Sequence, residues 1–333
     1  MTTDQRNKEL PTLRTSLPSL YEWLRTFVIG ICMGSADAVP GVSGGTIALI
    51  AGIYGRLIAM ITAITPERLW HLLAALVPHN NGVSVREALA VWEDIDGWFG
   101  LSLATGVVTA VIIVTRIVHI LDQNYPTLLF GFFFGLIAAS AIILLRELKI
   151  ATVFQATAAI VGFVIAFVLS GSIEFLEGGG LLVVFSAGAI AVSAMILPGI
   201  SGSLLLVILG QYTRMSTTLS QFIDALSRVV TGGPIGQLTD LGTVVVTFIL
   251  GGLVGLFTIS RVVRRSLDRN RRATMAFLVA LVVGALRAPV ETVQSEIGFS
   301  SDVIIAFVGA ALIGGAVLLA LDWYAVDLDL DSI

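Results

Sequence analysis

The chain has 333 residues, 56% of them hydrophobic and 13% charged, with a mean hydropathy of +0.96. A soluble globular domain keeps about 25% charged residues, so this composition excludes one and leaves an integral membrane protein. The net charge of −4 speaks against a nucleic-acid partner, and the single Cys32 excludes an intramolecular disulfide and a cysteine-rich metal centre.

Residues 1–20 are polar, contain Pro11 and Pro18, and lack the basic-then-apolar order of a signal peptide. They are expected to form a polar N-terminal tail. Apolar runs then follow in two sets, many of them roughly 17–25 residues long, enough to span a hydrocarbon core. The first set, over residues 21–172, opens with Trp23–Ala36, a break at Pro40-Gly41, and Val42–Ile64. A polar stretch from Thr65 to Asp96 leads to three longer segments, Phe99–Ile120, Pro126–Leu145 and Thr152–Leu169. The second set, over residues 181–325, repeats the order: Leu181–Leu197, a break at Pro198-Gly199, and Ile200–Tyr212. A polar stretch from Thr213 to Asp240 leads to Leu241–Ser260, Ala273–Leu286 and Val303–Trp323, and residues 326–333 make an acidic tail. Inside the polar stretches, Leu69, Leu72, Leu73 and Leu76 share one helical face, as do Met215, Leu219, Phe222, Ile223, Leu226 and Val230. Both patterns fit short helices lying in the membrane interface or packed on the bundle.

The two sets are copies. "SADAVPGVSGGT" at Ser35–Thr46 matches "SAMILPGISGSL" at Ser193–Leu204, and at the same offset Gly52 falls on Gly210, Tyr54 on Tyr212 and Arg56 on Arg214. A second block, "GVVTAVIIVTRIV" from Gly106, lies on "GGLVGLFTISRVV" from Gly251 and pairs Arg116 with Arg261. Two blocks in one order mark a duplication. With the N-terminus in the cytoplasm, each Pro-Gly hairpin returns to its starting side and three further crossings turn the second copy over. That path puts 15 Lys and Arg residues on the cytoplasmic side and 4 outside, as the positive-inside rule requires. The expected fold is an all-α polytopic membrane protein with an inverted-topology repeat. Each half is a broken, re-entrant helical hairpin plus three transmembrane helices, and both termini are cytoplasmic.

Pro40 and Pro198 cannot continue a helix without losing a hydrogen bond, and Gly41, Gly44, Gly45, Gly199 and Gly202 permit irregular backbone. At membrane depth such backbone is tolerated only when buried in protein or lining a wet cavity. A new helix starts past each break, where its first amides lack intrahelical partners and attract anions. Ser43 and Thr46 in one copy, and Ser201 and Ser203 in the other, add hydroxyl donors. The pattern suits a phosphate or carboxylate held between two tips; a plain kink for close helix packing is the other reading. Asp37, an acid within an apolar stretch, has Met195 as its repeat partner. It can carry a coupling proton, bind a cation or cap the break. Arg116 and Arg261 either grip phosphate bidentately or snorkel to the interface. His71, His79 and His119 have no metal-like spacing, and there is no paired-carboxylate or zinc motif. No metal, cofactor or catalytic residue is expected.

The pair "MGSADAVPGVSGGTIALIAGIY" and "ILPGISGSLLLVILGQY" strongly resembles the polyprenyl-phosphate transporter family, formerly domain of unknown function 368, over about residues 20–325. The resemblance implies a flippase of the cytoplasmic membrane. It would return a polyprenyl monophosphate (undecaprenyl phosphate in bacteria, dolichyl-type phosphate in archaea) from the outer to the cytoplasmic leaflet for reuse in glycan and cell-envelope synthesis. It also implies that the substrate meets Asp37, Pro40, Gly41, Ser43, Gly44, Gly45 and Thr46, then Pro198, Gly199, Ser201, Gly202 and Ser203, with Ser203 standing where the first copy has Gly45. Two other classes remain open on the residues alone. A membrane-embedded lipid-phosphate phosphatase would need a nucleophile and an acid–base partner, and a small-anion channel or exporter would share the tip chemistry.

Overall fold

The computed structural model describes residues 18–76, 85–148, 150–171, 180–195 and 201–330. Most of the expected N-terminal tail, and Pro198 and Gly199 of the second motif, lie outside them. The described residues are helical with short connections and contain no strand. They form two compact units: Met1–Gly34 with Ile47–Ala110, and Ser35–Thr46 with Val111–Ile333. The first Pro-Gly motif therefore groups with the second unit.

The first unit holds most of α1 (Leu20–Ala38) and of α2 (Gly44–Ile50), then α3 (Tyr54–Ala63), α4 (Pro66–Leu76), α5 (Val85–Asp94) and the start of α6 (Gly97–Asn124). Its core is Met33, Ala48, Ile53, Phe99 and Leu103. Helices α1 and α6 meet through Gly30, Gly34 and Gly106; a Cβ on Gly34 would come within 2.6 Å of the Val107 carbonyl oxygen. Such contacts are how helices pack where no water drives them together. The Ser102 hydroxyl donates to the Trp23 carbonyl at 2.7 Å. Arg56 pairs with Asp96 at 2.5 Å and stacks 4.3 Å above the Phe99 ring.

The apolar run Val42–Ile64, expected as one segment, is broken. Helices α2 and α3 bend by 117° across residues 51–53. The cause is a Schellman turn at Gly52, whose φ of +69° only glycine adopts freely. The Ile53 amide donates to the Ala48 carbonyl at 3.0 Å and the Gly52 amide to Leu49 at 2.9 Å. The second unit repeats the turn at Gly210, with φ +62°, where Gln211 donates to Leu206 at 2.8 Å and Gly210 to Val207 at 3.0 Å. Gly52 and Gly210, matched in the sequence alignment, thus carry the same pair of backbone hydrogen bonds.

The second unit holds the rest of α6, then α7 (Pro126–Glu147), α8 (Val153–Ser170), α9 (Leu181–Ala194), α10 (Gly202–Ile208), α11 (Tyr212–Val230), α12 (Gly236–Ala285), α13 (Arg287–Glu296) and α14 (Ser301–Leu330). The first part of α12 packs on α9 through Gly188, Gly251 and Gly255, its second part on α8 through Gly162 and Gly284, and α14 packs on α7 through Gly131, Gly135 and Gly314. The buried centre includes Phe130, Phe133, Leu136, Ile137, Leu204 and Ile208. Outward faces are apolar too, as in Ile160, Phe257 and Leu312, which suits a hydrocarbon surround.

Among the described residues six helices are long and apolar enough to cross a membrane, three within residues 97–170 and three within 236–323, or seven if the bent α2–α3 pair counts as one span. The protein is a multi-pass membrane protein. The expected segments Leu241–Ser260 and Ala273–Leu286 are joined by helix rather than loop. The 50-residue α12 leaves helical geometry at Asn270 (φ −155°, ψ 82°). Asn270 then caps the second stretch, its Oδ1 accepting from the Ala273 amide at 3.1 Å.

Candidate functional site

The first tip begins where α1 ends. Pro40 is fully buried, and the Ser140 hydroxyl on α7 donates to the Gly41 carbonyl at 3.3 Å. Asp37 folds over the start of α2: its Oδ1 accepts the Gly44 amide at 2.7 Å. The fit depends on glycine, because a Cβ on Gly44 would lie 2.6 Å from the Asp37 Cγ. Ser43 and Gly45 are half-buried, and the Thr46 amide donates to the Ser43 carbonyl at 3.1 Å.

The second tip is built on the same plan with different atoms. Met195, at the end of α9, lies over Gly202, where a Cβ would meet the Met195 Cγ at 2.8 Å. Ser201 caps α10, its Oγ accepting the Leu204 amide at 3.4 Å. The Ser201 and Ser203 oxygens are 2.7 Å apart, and Ser203 donates to the Val39 carbonyl at 3.0 Å. The Tyr212 hydroxyl donates to the neighbouring Ala38 carbonyl at 2.6 Å. The break at Pro40 leaves carbonyls at the end of α1 without a helical partner; side chains of the second motif region supply two donors to them. The two tips therefore touch directly, through Ser203 and Val39.

Beside this junction lies a cavity of about 340 Å³. Asp37 and its repeat partner Met195 both line it, with Gly202 and Ser203. Phe248, Ile249, Leu206 and Leu219 make its walls apolar, and Thr115 and Ser216 add polar spots. The volume falls in the range of small-ligand sites. Ile249 and Met195 are exposed and line it, so the cavity opens on an exposed apolar face of α9 and α12.

The arginines stand apart from it. Arg116, on α6, pairs with Asp224 of α11, next to the contact of His119 Nδ1 with Thr217 at 3.1 Å. Arg261 is exposed on α12 within the basic run that ends at Arg272. Neither lines the cavity. Sequence reading missed Tyr212, Ser140, Thr115 and Ser216. Only Tyr212 had a signal, its match to Tyr54 in the repeat. No cluster of three or more metal-ligating side chains occurs among the described residues.

Comparison with known proteins identifies the family. The model of the family described as VCA0040-like, undecaprenyl phosphate translocase-like, matches residues 33–301. A polyprenyl-phosphate transporter of Vibrio cholerae serotype O1 is 31% identical over 266 residues, covering 79% of this chain and 76% of its own. A polyprenyl-phosphate transporter of Staphylococcus aureus is 30% identical over 280 residues, covering 80% of this chain and 86% of its own. No solved structure matches. With a match spanning both motifs and most of the helices, the chain belongs to the VCA0040-like, undecaprenyl phosphate translocase-like family, a family of transporters rather than enzymes.

Proposed function

We propose that this protein is a flippase for a polyprenyl monophosphate, carrying the lipid from the outer to the cytoplasmic leaflet so that it is reused in glycan and cell-envelope synthesis. The observation that carries the reading is the junction of the two motif copies at one cavity with apolar walls and a polar corner. A phosphate with a long isoprenoid tail has that same division. The cavity takes the headgroup and the first isoprenoid units, and the remaining chain lies along the exposed apolar face of α9 and α12.

The phosphate is held between the starts of α2 and α10. By helix geometry the first-turn amides of Gly202 and Ser203, which line the cavity, have no partner in their own helix. The Ser201 and Ser203 hydroxyls already bond within the protein, so they shape this cradle. Asp37 occupies the Gly44 amide, where an anion would bind. A phosphate takes that donor only if the carboxylate is neutralised or displaced, since two negative groups sharing one donor repel. Where neutralisation is the route, binding is coupled to a proton or a sodium ion at Asp37.

Each of α2 and α10 has seven residues. At 1.5 Å per residue each is about 10 Å long, a third of a hydrocarbon core of about 30 Å. That length supports re-entrant hairpins, entering from opposite sides in an inverted repeat, and the arginine distribution supports cytoplasmic termini in the cell membrane.

The test is reconstitution in liposomes carrying a polyprenyl phosphate in one leaflet. Leaflet exchange above that of protein-free vesicles, with no flux of inorganic phosphate, is expected. Exchange equal to the empty control overturns the proposal, flux of free phosphate replaces it with an anion channel, and release of phosphate from the lipid replaces it with a phosphatase.

A further inference from the structure

A second cavity, of about 420 Å³, lies between the start of α8 and the broken middle of α12, and it shares no lining residue with the cavity at Asp37. Arg269, Ser266 and Asn270 form its polar end, while Phe154, Ala158 and Phe277 form its apolar wall. Its shape follows from the packing below it. Gly162 brings α8 against the Phe277 carbonyl and Gly284 brings α12 against Phe163, so the helices are locked there. Nearer the Asn270 break the direction of α12 changes and a wedge opens.

Its position and charge select an occupant. The polar end falls at the junction of the spans Gly236–Val263 and Arg265–Glu296, which is a boundary between hydrocarbon and water. Six arginines and one acid, Asp268, stand in residues 261–272, and the side chains of Arg265, Arg269, Arg271 and Arg272 are exposed. Leading away from the wedge, the face of α8 that carries Phe154 also presents Val161 (51% exposed) and Ile165 (41%), a strip suited to an acyl chain. A basic pocket at a membrane boundary with an apolar strip beneath it is the arrangement that holds an anionic headgroup and its tail.

We infer that this wedge is a structural binding site for an anionic glycerophospholipid of the surrounding leaflet, its phosphodiester on Arg269 and one acyl chain along α8. The site is separate from the transport cavity. An occupied wedge fills the gap beside the one non-helical residue of α12 and braces that helix, which also forms a wall of the transport cavity through Val245, Phe248 and Ile249.

The full-length protein in detergent is titrated with dioleoylphosphatidylglycerol or dioleoylphosphatidylcholine, reading retained lipid by native mass spectrometry and the unfolding temperature by intrinsic fluorescence. Selective retention of the anionic lipid and a rise in unfolding temperature are expected. Arg269→Gln, at an exposed position that folding does not require, and Ala158→Phe, which fills the wedge, each reduce retention about tenfold, the loss expected for one charge-assisted contact. Arg146→Gln, an exposed arginine at the end of α7, leaves retention unchanged. Equal retention of both lipids, or wild-type retention by Arg269→Gln, overturns the site. Displacement of the anionic lipid by an equimolar polyprenyl phosphate also overturns it, by making the wedge a station of the transported lipid.

Discussion

The two tips use one design with opposite chemistry. In each, the side chain that ends the first helix folds over a glycine that starts the next, Asp37 over Gly44 and Met195 over Gly202. One side chain is an acid whose oxygen caps the new helix; the other is a thioether, and there the cap comes from Ser201. The two tips share the steric arrangement and differ in which residue supplies the polar cap. A pocket lined by both therefore has one ionisable wall and one inert wall, and on the proposed reading the coupling ion binds in the first copy.

The largest expected effect tests that asymmetry directly. Asp37→Met, which copies the second tip into the first, should bring lipid exchange in liposomes down to the protein-free rate. Met195→Leu conserves volume, costs under about 1.5 kcal/mol, and should leave exchange near the wild-type rate. Equal loss in both variants would mean the two walls do the same work. A smaller effect is expected from the glycines. Gly44→Ala and Gly202→Ala each overpack a tip, at a cost of about 1–3 kcal/mol. Gly202→Ala should lie at the upper end, because its Cβ would also meet the Ala191 carbonyl oxygen at 2.7 Å, backbone that cannot yield, whereas Gly44→Ala meets only the Asp37 side chain, which can swing off its amide. Thermal unfolding in detergent ranks the two, and the reverse order would refute the shared design. The smallest contrast concerns the matched tyrosines. Tyr212→Phe removes a buried hydrogen bond to Ala38 worth about 1 kcal/mol. Tyr54→Phe, at a position 36% exposed, should stay within about 0.5 kcal/mol of wild type. A Tyr54 effect as large as that of Tyr212 would show that the two copies carry equivalent tethers.

Much of this organisation is legible in the chain because membrane helices advertise themselves by length and hydropathy. Pro126 and Thr152 mark the starts of α7 and α8; Pro126 is the first residue of its helix, and Thr152 accepts the Gln155 amide at 3.3 Å. The basic run at residues 261–272, which separates two of the expected segments, is largely helix, since arginine is a good helix former and the break needs only one residue, Asn270. The Gly52 bend was hidden inside a continuous apolar run, where hydropathy carries no sign of direction. At the site, the duplicated motif marks which residues matter. It does not show that Ser203 and Tyr212 spend their hydrogen atoms on Val39 and Ala38, because those bonds join positions more than 160 residues apart.

The glycine contacts between helices have a consequence for mutational landscapes. Gly131 and Gly135 on α7, and Gly251 and Gly255 on α12, recur at four-residue spacing, and a Cβ at Gly135 or Gly251 would overlap the backbone of the facing helix. A saturation scan should therefore show narrow stripes of intolerance to alanine running along these helices, away from the two Pro-Gly motifs. Variants in those stripes would read as lost function in a cell, though the defect lies in how closely two helices can approach.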